Sequence, residues 1–269
     1  MNFLERTLAG FLSALEHALD AEDLAKANGL LQRLDPRIKV LGILILIIAA
    51  ATAHQLWVIG AVFAVALVLA ASSRVSPLLL ARRVWIPVLL FTGIIALPAP
   101  FVIAGREVWR LPVVGWPLTA QGLLSAGYLV TRVETASTLS VLLILSTPWN
   151  HVLKALRVLR VPVVVVVILG MAYRYIFLLI DSARDMLESR RSRMVGELKG
   201  AERRRLAAAS VGVLMSKTMQ LSGDVYGAML ARGFRGEVYM LDDFRTAAID
   251  WIMLFVFAAL AAGAFFYGR

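Results

Sequence analysis

Hydrophobic residues in this chain run in long charge-free blocks, separated by short polar clusters. Residues 40–73 hold no charged side chain. A helix needs about 20 apolar residues to cross the hydrocarbon core of a bilayer. The run therefore predicts a hairpin of two spans, with Ala53-His54-Gln55 as its polar interruption. Residues 84–105 are again uncharged and predict a third span, which Pro87, Pro98 and Pro100 kink or end. Residues 105–117, rich in Arg, Pro, Trp and Gly, predict a loop. A fourth span covers about 119–146 and carries Arg132 and Glu134, nearer its first half, while 251–268 gives the last span.

Between the fourth and last spans the pattern becomes amphipathic. Pro148 stands at a helix start with Thr147 as its cap. Trp149, Val152, Leu153, Leu156 and Leu159 then form an apolar face, with Lys154, Arg157 and Arg160 off it, up to Pro162. Such a basic amphipathic helix lies in the membrane surface. A second helix begins apolar at 161–170; its run 163–169 is short and β-branched, so it reads as a partly embedded helix start rather than a full crossing. Further on, Tyr173, Ile176, Phe177, Ile180 and Leu187 share a face. A third helix covers about 202–230, where Val211, Leu214, Thr218, Leu221, Val225 and Ala228 follow a 3,4 spacing. That stripe is the signature of a helix–helix packing seam. The second helix ends in Ser192-Arg193-Met194 and the third in Ala231-Arg232-Gly233. Arginine at a helix C-terminus complements the dipole, and Gly233 suits the left-handed residue that closes a helix.

Composition and charge sharpen the picture. Of the 269 residues 60% are hydrophobic and only 17% charged, too few charges to cover a soluble domain of this size. Residues 147–245 hold 16 Lys and Arg against 9 Asp and Glu, a net +7, whereas the first 36 residues net −3. The basic excess is local. It points to anionic headgroups or an acidic protein surface, not to nucleic acid. Lys and Arg flanking the spans put Arg37, Lys39, Arg74, Arg82 and Arg83 on the cytoplasmic side, with the N-terminus inside. Trp57, Trp85, Trp109, Trp116 and Trp251 fall near predicted span ends, as interfacial aromatics do. With no cysteine, disulfides and thiolate chemistry are excluded, and His17, His54 and His151 are too scattered to predict a metal site. The N-terminus, with Phe3, Leu4, Leu8, Phe11, Leu12, Leu15 and Leu19 on one face, reads as an amphipathic helix and not a cleaved leader. Ser216-Lys217-Thr218 is no ATP site, because Met215 replaces the glycine a P-loop requires and the segment is helical.

Leu34-Asp35-Pro36-Arg37-Ile38-Lys39, Arg174-Tyr175-Ile176 and the two arginine ends resemble the transmembrane (T) component of energy-coupling factor (ECF) transporters. The strongest segment is Met229-Leu230-Ala231-Arg232-Gly233-Phe234-Arg235-Gly236, similar to that family's second Ala-Arg-Gly signature; where the first should be, Ser192-Arg193-Met194 keeps the arginine alone. The N-terminal section, from Phe3-Leu4-Glu5-Arg6 to Gln32-Arg33-Leu34, resembles the cobalt/nickel branch, the CbiQ type.

The resemblance implies an all-α integral membrane protein of about five transmembrane helices, with two or three long cytoplasmic coupling helices between the last two spans. The expected division is an N-terminal amphipathic segment (1–36), four transmembrane helices (37–146), cytoplasmic or interfacial coupling helices (147–245) and a C-terminal transmembrane helix (246–269). Two ABC ATPase subunits would each receive one arginine-bearing end, Ser192-Arg193-Met194 or Ala231-Arg232-Gly233. Their closure would shift the coupling helices, packed through Val211, Leu214, Thr218, Leu221, Val225 and Ala228. That shift would tilt a separate substrate-binding S component, a metal-type membrane subunit. The chain itself would be non-catalytic, hold no cofactor or metal, and leave ATP and Mg to the partner ATPases. The setting implied is the cell (inner/cytoplasmic) membrane, multi-pass, with cobalt or nickel as cargo. Two other classes compete: a stand-alone ion-coupled secondary transporter, for which Arg132 and Glu134 are the candidate intramembrane groups, and a membrane scaffold without transport.

Overall fold

The structure is a computed structural model that describes residues 10, 29–103, 105–110, 117–193, 200–236 and 248–268. The predicted amphipathic face of the N-terminal helix lies outside the described residues. The described chain is helical apart from one short ribbon, as expected for an integral membrane protein. It divides into two compact units, one built on the helices within 36–146 and 248–267, the other on those within 163–231.

In the first unit, α1 (Pro36–Thr52) and α2 (Leu56–Ser72) form the predicted hairpin, broken at Ala53-His54-Gln55. The start of α1 follows from three residues. Asp35 is the N-cap, its Oδ1 accepting from the Arg37 N–H at 2.9 Å, and Pro36 takes the first helical position, where its missing N–H costs nothing. At 17 residues each, the two helices are about 26 Å long, close to the thickness of the hydrocarbon core.

The third span, α3 (Pro77–Val102), starts earlier than the sequence indicates. Ser76 caps it, accepting from Leu79 N–H at 3.3 Å, and Pro77 opens it. Arg82 and Arg83 sit inside a π-helical turn, Ala81–Trp85, rather than in a loop. Cations at a membrane edge need not end a helix, since their long stems carry the charge back to water. Trp85 follows two residues after Arg83. Its indole N–H donates to Thr138 Oγ1 at 3.2 Å, joining α3 to α4 (Ala120–Ser146). The predicted loop before α4 contains a two-stranded antiparallel ribbon, β1 (Glu107–Arg110) and β2 (Pro117–Thr119). Thr119 caps α4 through its hydroxyl, which accepts from Gly122 N–H at 3.2 Å.

The next helix is α5 (Trp149–Val158). Pro148, not Thr147, is its cap, since the Pro148 carbonyl accepts from His151 and Val152 N–H. Arg160, at φ 65°, closes it in a left-handed turn before Pro162. The second unit holds α6 (Val163–Arg193) and α7 (Gly200–Ala231), of 31 and 32 residues. As expected, α6 is one continuous helix; by length and composition its portion Val163–Arg190 is apolar enough to cross a membrane, as are α3, α4 and α8 (Ala248–Tyr267). The run 163–169 is continued by Gly170 and Met171 into the aromatic face.

Three helices of the first unit interlock through their ends. Helices α1 and α4 are antiparallel, and each supplies a cation to the other's C-terminal carbonyls. Lys39 Nζ donates to Ser146 O at 2.9 Å, and Arg132 donates to Ala53 O. Such carbonyls have no partner within their own helix, and a cation there also complements the dipole. Helix α8 runs parallel to α1. Asp35 N–H donates to Asp250 Oδ1 at 2.8 Å at one end, and His54 N–H donates to Gly268 O at 2.7 Å at the other. Between them Gly42 lies flat against the fully buried Phe257 ring, where a methyl group would collide. A small residue at that point lets the two helices approach closely.

Candidate functional site

The predicted coupling residues sit at the two C-terminal ends of the second unit. Ser192 and Arg193 form the exposed last turn of α6; Ser192 Oγ donates back to Glu188 O at 3.1 Å, and Glu188 accepts from Arg184 at 2.9 Å. Met194 lies outside the described residues. Ala231, Arg232 and Gly233 are all exposed. Gly233 occupies the left-handed closing position at φ 78°, with Gly233 N–H on Leu230 O at 2.9 Å and Phe234 N–H on Met229 O at 3.0 Å. These paired bonds satisfy the last carbonyls of α7. Glycine is needed because a Cβ is strained at that φ, although space around it is open.

Helices α6 and α7 are tied where Lys217 Nζ donates to Ser182 Oγ at 2.9 Å. From that tie about 17 Å of helix leads to Arg193 and about 22 Å to Arg232, at 1.5 Å per residue. Between Val164–Leu179 of α6 and the part of α7 beyond Lys217 lies an apolar cleft of about 400 Å³, closed off by Phe234. Leu214, Thr218, Leu221 and Val225 are half-buried, whereas Val211 and Ala228 are exposed. Ser210 and Met229 turn inward in their place. A strict 3,4 repeat drifts around a straight helix by about 20° every seven residues, which moves the two ends of the stripe off the seam.

In the first unit the structure brings together charges that sequence distance hides. Lys39 is 1% exposed, Asp250 2% and Asp35 6%, and the three gather where α1, α4 and α8 end. Nothing in the sequence links Asp250 to Asp35, 215 positions away; a charge two residues inside an otherwise apolar span is the one available signal. Arg132 and Glu134 do not meet. Arg132 lies over the Tyr128 ring, 5.7 Å from its centre, and bonds Ala53 O. Glu134 is buried, and its two carboxylate oxygens accept no hydrogen bond from the described residues. Among the described residues no three His, Asp or Glu side chains cluster as a metal site.

Comparison with known proteins agrees with this architecture. The family model for "Cobalt transport protein", CbiQ, matches residues 27–240. Uncharacterized protein MJ1571 of Methanocaldococcus jannaschii is 34% identical over 239 residues, 87% of this chain and 81% of that protein. The cobalt transport protein CbiQ of Rhodobacter capsulatus is 27% identical over 183 residues, 66% of this chain and 75% of the relative. The match takes in α1 to α7, including Asp35, Lys39 and the helices with the arginine ends, and stops before α8. A multi-pass helical membrane protein with that match is a transport component, and this chain belongs to the CbiQ cobalt transport protein family.

Proposed function

We propose that this chain is the transmembrane coupling subunit of an ECF-type ABC importer in the cell membrane, moving cobalt or nickel. Two cytoplasmic ATPases bind ATP and Mg and close. Each holds one helix end, Ser192-Arg193-Met194 or Ala231-Arg232-Gly233, and the α6–α7 pair passes the motion to a separate substrate-binding membrane subunit. The observation that carries this reading is the pair of exposed arginines at the tips of two long helices tied at Lys217–Ser182. An arginine fork at a helix end suits carboxylates and carbonyls in a receiving groove. Val211 and Ala228, exposed beside the seam, remain available to move or to meet a partner when the helices shift.

The parallel course of α1 and α8 supports a cytoplasmic α6–α7 pair. If α1–α4 cross four times, residues between α4 and α8 must cross an even number of times. Helix α7 carries Lys217 and Asp224 in its interior and is not apolar enough to cross, so α6 does not cross alone. On this reading the chain has five spans, its N-terminus is cytoplasmic, and its parts are 1–36, 37–146, 147–245 and 246–269. It has no catalytic role, and the metal is selected by the partner subunit.

Co-expression with its ABC ATPases is the test. Wild type copurifies with them and supports ATP-dependent metal uptake. The Arg193→Glu, Arg232→Glu double variant folds and inserts but loses the ATPases; normal assembly and uptake by that variant defeats the proposal. A second reading, ion-coupled transport by the chain alone, is favoured by the buried, unpartnered Glu134. It requires proton-driven uptake without ATPases that Glu134→Gln abolishes.

A further inference from the structure

Helix α4 has a polar stripe unrelated to coupling. Gln121, Ser125, Tyr128 and Arg132 recur at spacings of 4, 3 and 4 along one face. With His54 from the α1–α2 turn they line a cavity of about 470 Å³, completed by Leu124 and Leu129. The cavity exists because α4, at 27 residues, outruns the 17-residue α1 and α2. Beyond the turn this face of α4 is left uncovered, and Gln121, Ser125 and His54 are exposed. A stripe of donors on an uncovered helix face can bind an anion at the membrane surface.

The lining selects for charge. It contains one fixed cation, four further side chains able to donate, and no carboxylate. Arg132 has five N–H donors, and among the described residues it forms one hydrogen bond, to Ala53 O. The oxygen of Gln121 is already committed, accepting from Arg106 N–H at 2.7 Å. That leaves the Gln121 NH₂ group as the free end and fixes the backbone of a second cation, Arg106, beside the stripe. Depth selects the ligand further. The buried charges around Lys39 mark one water interface. The other lies about 26 Å along α1, at the level of His54, where Trp57 and Tyr267 stack edge-on with centres 6.0 Å apart. Paired aromatics of this kind sit among headgroups. The donors therefore stand at the depth of lipid phosphates, with the exposed Leu124 and Leu129 completing the lining.

We propose that this notch binds the phosphate of an anionic membrane phospholipid, in the leaflet on the side of the α1–α2 turn. Arg132 supplies the charge, and His54, Gln121, Ser125 and Tyr128 supply hydrogen bonds. The site is independent of the coupling reading, since it uses no residue of α6 or α7.

Native mass spectrometry of the full-length chain, stripped of lipid in neutral detergent and titrated with phosphatidylglycerol, tests it. One phosphatidylglycerol should remain bound per wild-type chain, in preference to phosphatidylcholine. Hydrogen bonds to a charged group differ by about tenfold in affinity for each donor lost, so Gln121→Ala with Ser125→Ala should weaken retention at least tenfold. Both side chains are exposed, which keeps this variant folded when Arg132→Gln, also deprived of its bond to Ala53, is not. Wild-type retention in the double alanine variant overturns the proposal. So does displacement of the lipid by millimolar inorganic phosphate, which would mark a small-anion site. A wild-type chain that retains no lipid overturns it as well, and so does a Ser125→Cys variant that crosslinks to a partner membrane subunit with no lipid bound.

Discussion

Lys39→Met removes one side chain from the junction of α1, α4 and α8 and leaves its volume nearly unchanged. The wild-type ammonium is 1% exposed, donates to Ser146 O at 2.9 Å, and lies among Asp35 and Asp250, 6% and 2% exposed. Methionine fills the space but strands a helix-terminal carbonyl and withdraws a positive charge from two buried carboxylates. Removing one partner of a buried ionic cluster costs about 3–5 kcal/mol, whereas replacing the cluster consistently costs far less. Taking about 3 kcal/mol at about 2–4 °C per kcal/mol, the midpoint of thermal unfolding should fall by about 6–12 °C. Fluorescence-detected size exclusion of heated, detergent-solubilised protein reads this directly. The sign of the second step is more informative. Asp250→Asn in the Lys39→Met background should restore part of the loss, since one of the two buried negative charges is removed while the amide oxygen still accepts from Asp35 N–H. A Lys39→Met shift below about 2 °C, or a double variant weaker than the single, would show that the junction is held by packing and not by its charges.

Other substitutions probe separate features by the same assay. Gly42→Ala should cost about 1–3 kcal/mol by driving a methyl group into the buried Phe257 ring, and Phe257→Leu in that background should recover part of it. Gly233→Ala should destabilise the end of α7 by about 1 kcal/mol, whereas Arg160→Gly, at φ 65°, should stabilise the end of α5 by a similar amount. In an uptake assay with its ATPases, Gly233→Ala should retain more activity than Arg232→Glu if the arginine fork and not the turn makes the contact.

Sequence patterns revealed the helices far better than their ends. Charge-free runs located α1, α2 and α8, because uninterrupted apolar length is what a bilayer selects, and α4 was legible despite Arg132 and Glu134. They failed at α3, whose first turns contain Arg82 and Arg83, and at the start of α8, where Asp250 is buried by a partner 215 positions away. At Asp250 a charge reads as solvent-facing while its surroundings, set by other segments, bury it. The run at 163–169 reads as a short apolar start, whereas the apolar stretch of α6 extends on through Met171 and the aromatic face. The tips at Arg193 and Arg232 were legible because helix ends are local. The α4 notch was not, because it depends on the unequal lengths of helices distant in sequence.

The pairing of α1 with α8 also fixes an order of events during synthesis. Asp35 meets Asp250 only after 215 further residues have been made, about 10–40 s at ordinary elongation rates. Through that interval the first span stands in the membrane with the Gly42 face bare and the carbonyl ends of α8 not yet made. The nascent bundle is thus a clasp whose last link is its final helix, and truncation before residue 248 would leave an inserted but unclosed protein for membrane quality control.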